Sequence, residues 1–226
     1  MQAPAPAEAV FPIMIHPKTE VRFVNPAMGY GVFASADIPR GTVVWVRDAL
    51  EAAFARRAAN RLDLAGGPGK AVHADEAGVH IVSRDNARYV NHRCDGNVMA
   101  TAYGFEIAVR DIWKGEEISE EYGLFDLGRD IPLACGCPRC RKRLTPDDLD
   151  RYHEAWDGMI LDALARLADV PQPLMPLMSP EAKHRLRAFL CGDEPYSSVL
   201  ALRRTPNFAS TVPPDNVQPT LPGHNG

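Results

Sequence analysis

The stretch that decides the reading is Arg88-Tyr89-Val90-Asn91-His92-Arg93-Cys94-Asp95-Gly96-Asn97. Alone, an Asn-His pair is an ordinary satisfied polar turn. Three further pieces stand around it in order: Gly29-Tyr30-Gly31-Val32-Phe33-Ala34 upstream, then Gly115-Glu116-Glu117-Ile118-Ser119-Glu120-Glu121-Tyr122-Gly123, and last Cys135-Gly136-Cys137-Pro138-Arg139-Cys140. None of the four is specific by itself, since a bare G-x-G marks a turn in many chains.

The segments between these pieces read as short strands. Residues 12–16, 20–25, 31–35 and 42–46 are rich in Val, Ile and Phe and are bounded by Pro, Gly or Asn, with a turn at Pro39 to Gly41. Strand character returns at 78–83, over 98–109 and at 117–122, where Trp113 to Glu117 supplies a turn. Residues 48–61 predict a helical insertion, with Leu50 and Phe54 one turn apart, and Gly-rich 66–70 follows as a connection. That connection is not a phosphate loop, because Leu64 stands where the first glycine belongs and Ala71 where Ser or Thr would bind magnesium.

From Thr145 the pattern becomes helical. Thr145 caps, Pro146 takes the first helical position, and acidic residues follow in the first turn, predicting a helix of about 20 residues. Leu149, Tyr152, Trp156, Ile160, Leu164 and Leu167 form its apolar face. Ser179-Pro180-Glu181 starts a second helix that Gly192 ends. The sequence beyond is Pro- and Asn-rich and without periodicity, a disordered tail. His153-Glu154-Ala155-Trp156-Asp157 is no zinc-protease motif, since Asp157 replaces the second histidine.

Composition excludes several classes. The chain has 226 residues, 46% hydrophobic and 24% charged, enough for a sizeable core. No run approaches a membrane span of about 18 apolar residues, and the first residues lack the order of a signal peptide, so the expected compartment is the cytoplasm. The net charge of −4 offers no general attraction to nucleic acid, and Arg139, Arg141, Lys142 and Arg143 read as a solvated turn. Five cysteines, three of them within six residues, suit metal ligation better than mutual disulfides. Cys191 reads as a buried apolar residue.

Taken together, the four pieces resemble the SET-domain protein-lysine methyltransferases, over roughly residues 18 to 141. The resemblance implies a mainly β fold with helices, in which small sheets pack around a threaded C-terminal segment. It divides the chain into an N-terminal arm (1–17), a SET domain (18–124), a post-SET zinc-binding segment (125–144), a helical appendage (145–192) and a disordered tail (193–226). It implies methyl transfer from S-adenosylmethionine to the side-chain amine of a lysine in a protein. The alternative is a catalytically silent SET-fold module that recognises a protein tail.

The same resemblance assigns residues. Gly29, Tyr30 and Gly31 match the loop that approaches the methyl donor, Asn91 and His92 the pair that holds it, and Tyr122 the tyrosine beside the transferring methyl, counted as both catalytic and donor-binding. Tyr103 and Phe105 are candidates for the core or the lysine channel. Glu120 stands where many members carry an aromatic channel residue. Cys135, Cys137 and Cys140 gain a fourth zinc ligand in Cys94, which would make one structural site.

The chemistry sets a demand of its own. A lysine with a pKa near 10.4 is unprotonated in only about one molecule in a thousand near neutrality, a deficit of roughly 4 kcal/mol. A sulfonium neighbour and a dry channel favour proton loss, so no strong protein base is expected. The acidic run Glu116, Glu117, Glu120 and Glu121 would suit a basic, histone-like or ribosomal target, or is simply solvated turn.

Overall fold

The computed structural model describes residues 14–26, 28–47, 72–74, 80–82, 85–125, 130–133 and 135–203. The helix expected at 48–61 and the segment 204–226 lie outside the described residues.

Strands β1 (Thr19–Asn25) and β2 (Gly29–Ala34) form an antiparallel hairpin. Its turn is closed by the Met28 N–H donating to Asn25 Oδ1 (2.9 Å), and Gly29 sits at φ 72°, a conformation that strains any residue with a Cβ. Strand β3 (Val43–Val46) follows the turn at Gly41, and β4 (Val72–Ala74) pairs with β5 (His80–Val82) as a separate ribbon. Strands β6 (Asn91–His92), β7 (Val98–Ala100), β8 (Phe105–Ala108) and β9 (Glu117–Glu120) complete a seven-stranded sheet. Its order is β1-β2-β9-β7-β8-β3, with β6 also paired to β9.

The late strand β9 is thus threaded between early ones, antiparallel to β2 and parallel to β6 and β7. Asn97 fastens this insertion: its Oδ1 accepts the Ser119 N–H (2.9 Å) and its Nδ2 donates to the Glu117 carbonyl (2.9 Å). Beyond, β10 (Ile131–Pro132) pairs with β11 (Arg143–Leu144) around the cysteine-rich segment.

Helix α1 (Asp148–Leu164) and helix α2 (Pro180–Cys191) close the molecule. Leu149, Trp156, Ile160 and Leu164 of α1 are buried in the same core as Val32, Val98, Ile107 and Ile118 of the sheet. The helical region is therefore built into the domain core. Gln172, between the helices, completes two orphan backbone groups of the β3 turn, donating to the Gly41 carbonyl (2.7 Å) and accepting from the Val43 N–H (2.9 Å). No helix among the described residues is long and apolar enough to cross a membrane.

Several expectations are corrected. Residues 98–109 are two strands, because the chain turns at Gly104 (φ 86°), where the Thr101 hydroxyl donates to the Phe105 carbonyl (2.7 Å). Strand β9 stops at Glu120, and Tyr122–Phe125 form a 3-10 turn capped by the Glu121 carboxylate, which accepts the Gly123 N–H at 2.8 Å. Thr145 does not cap α1. Its hydroxyl donates to Asp148 Oδ1 (2.8 Å), and the helix begins at Asp148 and runs 17 residues.

Residues 14–16, expected as part of a strand at 12–16 and within the N-terminal arm 1–17, do not stand apart from the domain: the His16 N–H donates to the Val44 carbonyl (2.7 Å) and the Val46 N–H to that of Met14 (3.0 Å). Nor is 193–203 a disordered tail. The Asp157 carboxylate accepts the Tyr196 hydroxyl (2.8 Å), the Ser198 hydroxyl (2.6 Å) and the Val199 N–H (2.9 Å). Helix α2 matches its sequence signals, with Ser179 accepting from the Ala182 N–H and Gly192 left-handed, but Cys191 at its end is exposed.

Candidate functional site

The parallel pairing of β6 with β9 sets Asn91 opposite Ser119 and His92 opposite Glu120, which brings the Asn91 stretch beside Tyr122. The Tyr122 hydroxyl donates to the Val90 carbonyl (2.6 Å), and its backbone N–H donates to His92 Nδ1 (3.2 Å). The two rings are tilted against each other at 5.3 Å. Burial, then the carboxyls of Glu120, Glu106 and Glu117, push the Tyr122 phenol far above its ordinary range, so it stays protonated.

Because His92 Nδ1 accepts, its proton is on Nε2, which faces Cys94 Sγ at 3.4 Å. Burial, seconded by the Arg141 charge, lowers its pKa to about 4, keeping the ring neutral. Both ring nitrogens are thereby engaged inside the protein, and His92 offers a ligand its main chain.

Asn91 reaches the glycine loop, its Nδ2 donating to the Tyr30 carbonyl (3.3 Å) and to Glu117 Oε1 (2.6 Å). A Cβ on Gly31 would come within 2.5 Å of that Glu117 oxygen and 3.0 Å of Asn91 Nδ2. Glycine at 31 is what allows these groups to meet. Tyr30 is half exposed and packs edge-on against Phe23 and at a tilt against Tyr89, each at 5.7 Å.

The four thiols Cys94, Cys135, Cys137 and Cys140 offer sulfurs all within 4.8 Å of one another, although Cys94 lies on a different part of the chain. Cys94 and Cys135 are 3.9 Å apart and Cys135 and Cys137 3.4 Å. A tetrahedral zinc with bonds near 2.3 Å places its sulfurs about 3.8 Å apart, so the set fits that metal.

Arg141 is no solvated turn residue. Its guanidinium forks onto both Glu121 oxygens (2.7 Å each), reaches Asp148 Oδ2 (3.2 Å), and lies over the rings of Tyr152 (4.9 Å) and Trp156 (5.9 Å). Its backbone N–H points at Cys94 Sγ (3.4 Å). One residue thus joins the cysteine cluster, the Tyr122 segment and α1. The acidic run is likewise spent internally: Glu116 on Arg110 and Asn97, Glu117 on Asn91, Glu120 on Glu106, Glu121 on Arg141.

Tyr103 and Phe105 stack at 6.3 Å where the chain enters β8, and the Tyr103 hydroxyl accepts the Ser197 N–H (3.0 Å). Both line a cavity shared with Trp45, Glu106, Leu124 and Phe125. Glu106 and Arg141 escaped the sequence reading, since only tertiary pairing gives either a role.

A threaded β-sheet that seats an Asn-His pair, a half-buried tyrosine and a four-cysteine cluster together defines a small β-rich domain with one composite site. The family profile described as "SET domain" matches residues 29–123, so that segment is similar to a SET domain. A stretch of 65 residues is 38% identical to "Histone-lysine N-methyltransferase trr" of Drosophila melanogaster, covering 25% of this chain and 3% of that protein.

Among solved structures, the methyltransferase domain of human "Histone-lysine N-methyltransferase SETMAR" is 18% identical with a TM-score of 0.41, over 58% of each chain. "KRYPTONITE in complex with mCHG DNA and SAH" is 20% identical with a TM-score of 0.37, over 58% of this chain and 29% of the other. The chain thus spans 3% of the fly relative and 58% of the human structure.

Proposed function

We propose that this chain transfers a methyl group from S-adenosylmethionine to the side-chain amine of a lysine in a protein, and that Cys94, Cys135, Cys137 and Cys140 hold one structural zinc. The observation that carries the reading is the seating of Tyr122. Its hydroxyl is fixed on Val90 and its backbone on His92, directly beside Asn91, so two sequence motifs meet at one point.

S-adenosylmethionine supplies an electrophilic methyl on a sulfonium. The groups around it suit such a ligand: the Asn91 amide, the Tyr30 carbonyl and the Glu117 carboxylate cluster at Gly31, where polar donors and acceptors meet a cationic, amine-bearing molecule. Tyr122 serves as an orienting hydroxyl. Its proton is given to Val90, which leaves its oxygen to accept contacts from the polarised methyl and the incoming amine. A phenol held protonated is no base at neutral pH.

Zinc at the four thiols would anchor the tail bearing Cys135 to Cys140 against the Asn91 stretch, so that binding energy becomes ordering energy. A cytoplasmic setting keeps such thiols reduced and free to bind metal.

The test is Tyr122→Phe, assayed by radiolabelled methyl transfer to cell-extract proteins with mass-spectrometric site mapping. Methyl transfer should fall about a hundredfold or more, since the group acts at the reacting centre, while S-adenosylmethionine affinity by calorimetry barely changes. A fully active variant sinks the assignment. Wild-type protein that binds the donor but methylates no lysine would be the silent module.

A further inference from the structure

A cavity of about 390 Å³ opens between β3, β8 and the turn that carries Tyr122. Trp45, Tyr103, Phe105, Leu124 and Phe125 form much of its wall, and Glu106 also lines it. Aromatic walls beside a carboxylate suit an alkylammonium ion, whose stem lies on rings while its head takes the charge.

Glu106 does not stand alone. Its carboxyl hydrogen-bonds that of Glu120, which is 9% exposed and lies two residues before Tyr122. The charges of both carboxyls raise the Tyr122 phenol, so the pair lies within electrostatic reach of the proposed reacting centre. Two carboxyls this close cannot both ionise freely, and they titrate as one unit that shares a proton. Burial holds both above the carboxylate range; the charge of Glu106, its hydrogen bond and the charge of Glu121 raise Glu120 further, while for Glu106 the bond with Glu120 lowers and the charge of Asp85 raises.

Other charged groups at the cavity do not neutralise it. Arg47, Arg185 and Glu181 line the same space, but Arg185 lies over the Tyr103 ring (5.8 Å) and donates to Ser197. Among the described residues neither carboxyl of the pair has a cationic partner. A buried acid pair without a counter-charge is costly unless something cationic visits it.

We propose that Glu106 and Glu120 together bind the ammonium of the substrate lysine and accept its proton, the side chain entering through this cavity. The proposal rests on the lysine methyl-transfer reading and supplies what the sequence led us not to expect, a protein base. In the step, one N–H bond of the ammonium breaks and an O–H bond forms on the ionised carboxylate, while the electron pair stays on nitrogen. The neutral amine then takes the methyl of S-adenosylmethionine as the C–S bond breaks toward sulfur, and nitrogen regains its positive charge. The pair's extra proton leaves to solvent through the cavity.

The experiment compares wild type, Glu106→Gln, Glu120→Gln and the surface control Glu154→Gln, each checked by circular dichroism and S-adenosylmethionine affinity. The first arm needs no turnover: calorimetry with n-butylammonium chloride, against n-butanol. Wild type and the control should bind the cation and not the alcohol, and either pair variant should bind it about tenfold more weakly or not at all. The second arm is the pH profile of single-turnover transfer to core histones and extract proteins. Wild type should level off near neutrality, whereas the pair variants should gain about tenfold per pH unit toward the free lysine pKa.

Cation binding that is unchanged in both variants, or absent from wild type, overturns the proposal, as does a wild-type pH profile in Glu120→Gln. If wild type methylates no protein lysine, the methyl-transfer reading fails, and the first arm still decides the ammonium site.

Discussion

Arg141→Met is expected to be among the most destabilising single changes near the site, and the structure gives the size. The guanidinium side chain is 15% exposed, and its partners Glu121 and Asp148 are 0% and 3% exposed. Removing it leaves two buried carboxylates with no cation, a loss of about 3–5 kcal/mol. At about 2–4 °C per kcal/mol for a chain of this length, Tm should fall by roughly 6–20 °C.

Burial raises the Glu121 pKa even against the two arginine bonds, whereas those bonds raise Arg141. Desolvation of the acid is therefore not fully repaid, and the network's cost lies in breaking it rather than in lacking it. It follows that adding Glu121→Gln and Asp148→Asn to Arg141→Met should recover much of the loss. The surface pair Arg143 and Asp130, 65% and 52% exposed, is the internal control, and Arg143→Met should cost under about 1 kcal/mol. The assay is urea unfolding at fixed zinc and pH, followed by tryptophan fluorescence and circular dichroism. If Arg141→Met costs no more than Arg143→Met, the reasoning about a buried junction is wrong.

Cys94→Ser should lose zinc in metal analysis as severely as Cys137→Ser, whereas Cys191→Ser, exposed and remote, should keep it. Chelation should loosen the β10–β11 pair and abolish methyl transfer while most helical signal persists. His16 is buried with its pKa lowered to about 4, by burial first and the Lys18 charge second. The folded state keeps it neutral, so its stabilising share is complete above about pH 6.5 and is lost as pH falls toward 4, at most about 3 kcal/mol. His92 titrates in the same window, so His16→Gln should flatten, not remove, the acid slope of urea-unfolding free energy.

The parts of the fold legible in sequence are those whose signals are local. Helix α2 could be bounded to the residue because Ser179, Pro180 and Gly192 act within their own turn. Helix α1 could not, because Asp148 is buried against Arg141 seven residues earlier and accepts the Thr145 hydroxyl, and the helix starts past Thr145. The alternation over 98–109 reads as a single strand until Gly104 takes φ 86°. The sheet order was beyond sequence altogether, since threading β9 between β2 and β7 depends on backbone pairing and on Asn97.

Charge was the least legible property, and the reason bears on function. In composition, Glu116, Glu117, Glu120 and Glu121 form an acidic patch fit for a basic target, and Arg141 belongs to a basic turn. In the fold, β9 sends alternate side chains to opposite faces, so Glu117 meets Asn91 on the donor side while Glu120 meets Glu106 on the cavity side. Glu121, just past the strand, turns inward to Arg141. Four like charges in six residues thus become four separate devices. Among the described residues the Glu106–Glu120 pair has no counter-ion and is left for a substrate to complete, and the selectivity of this domain for a cationic side chain should be sought there rather than in the net charge of its surface.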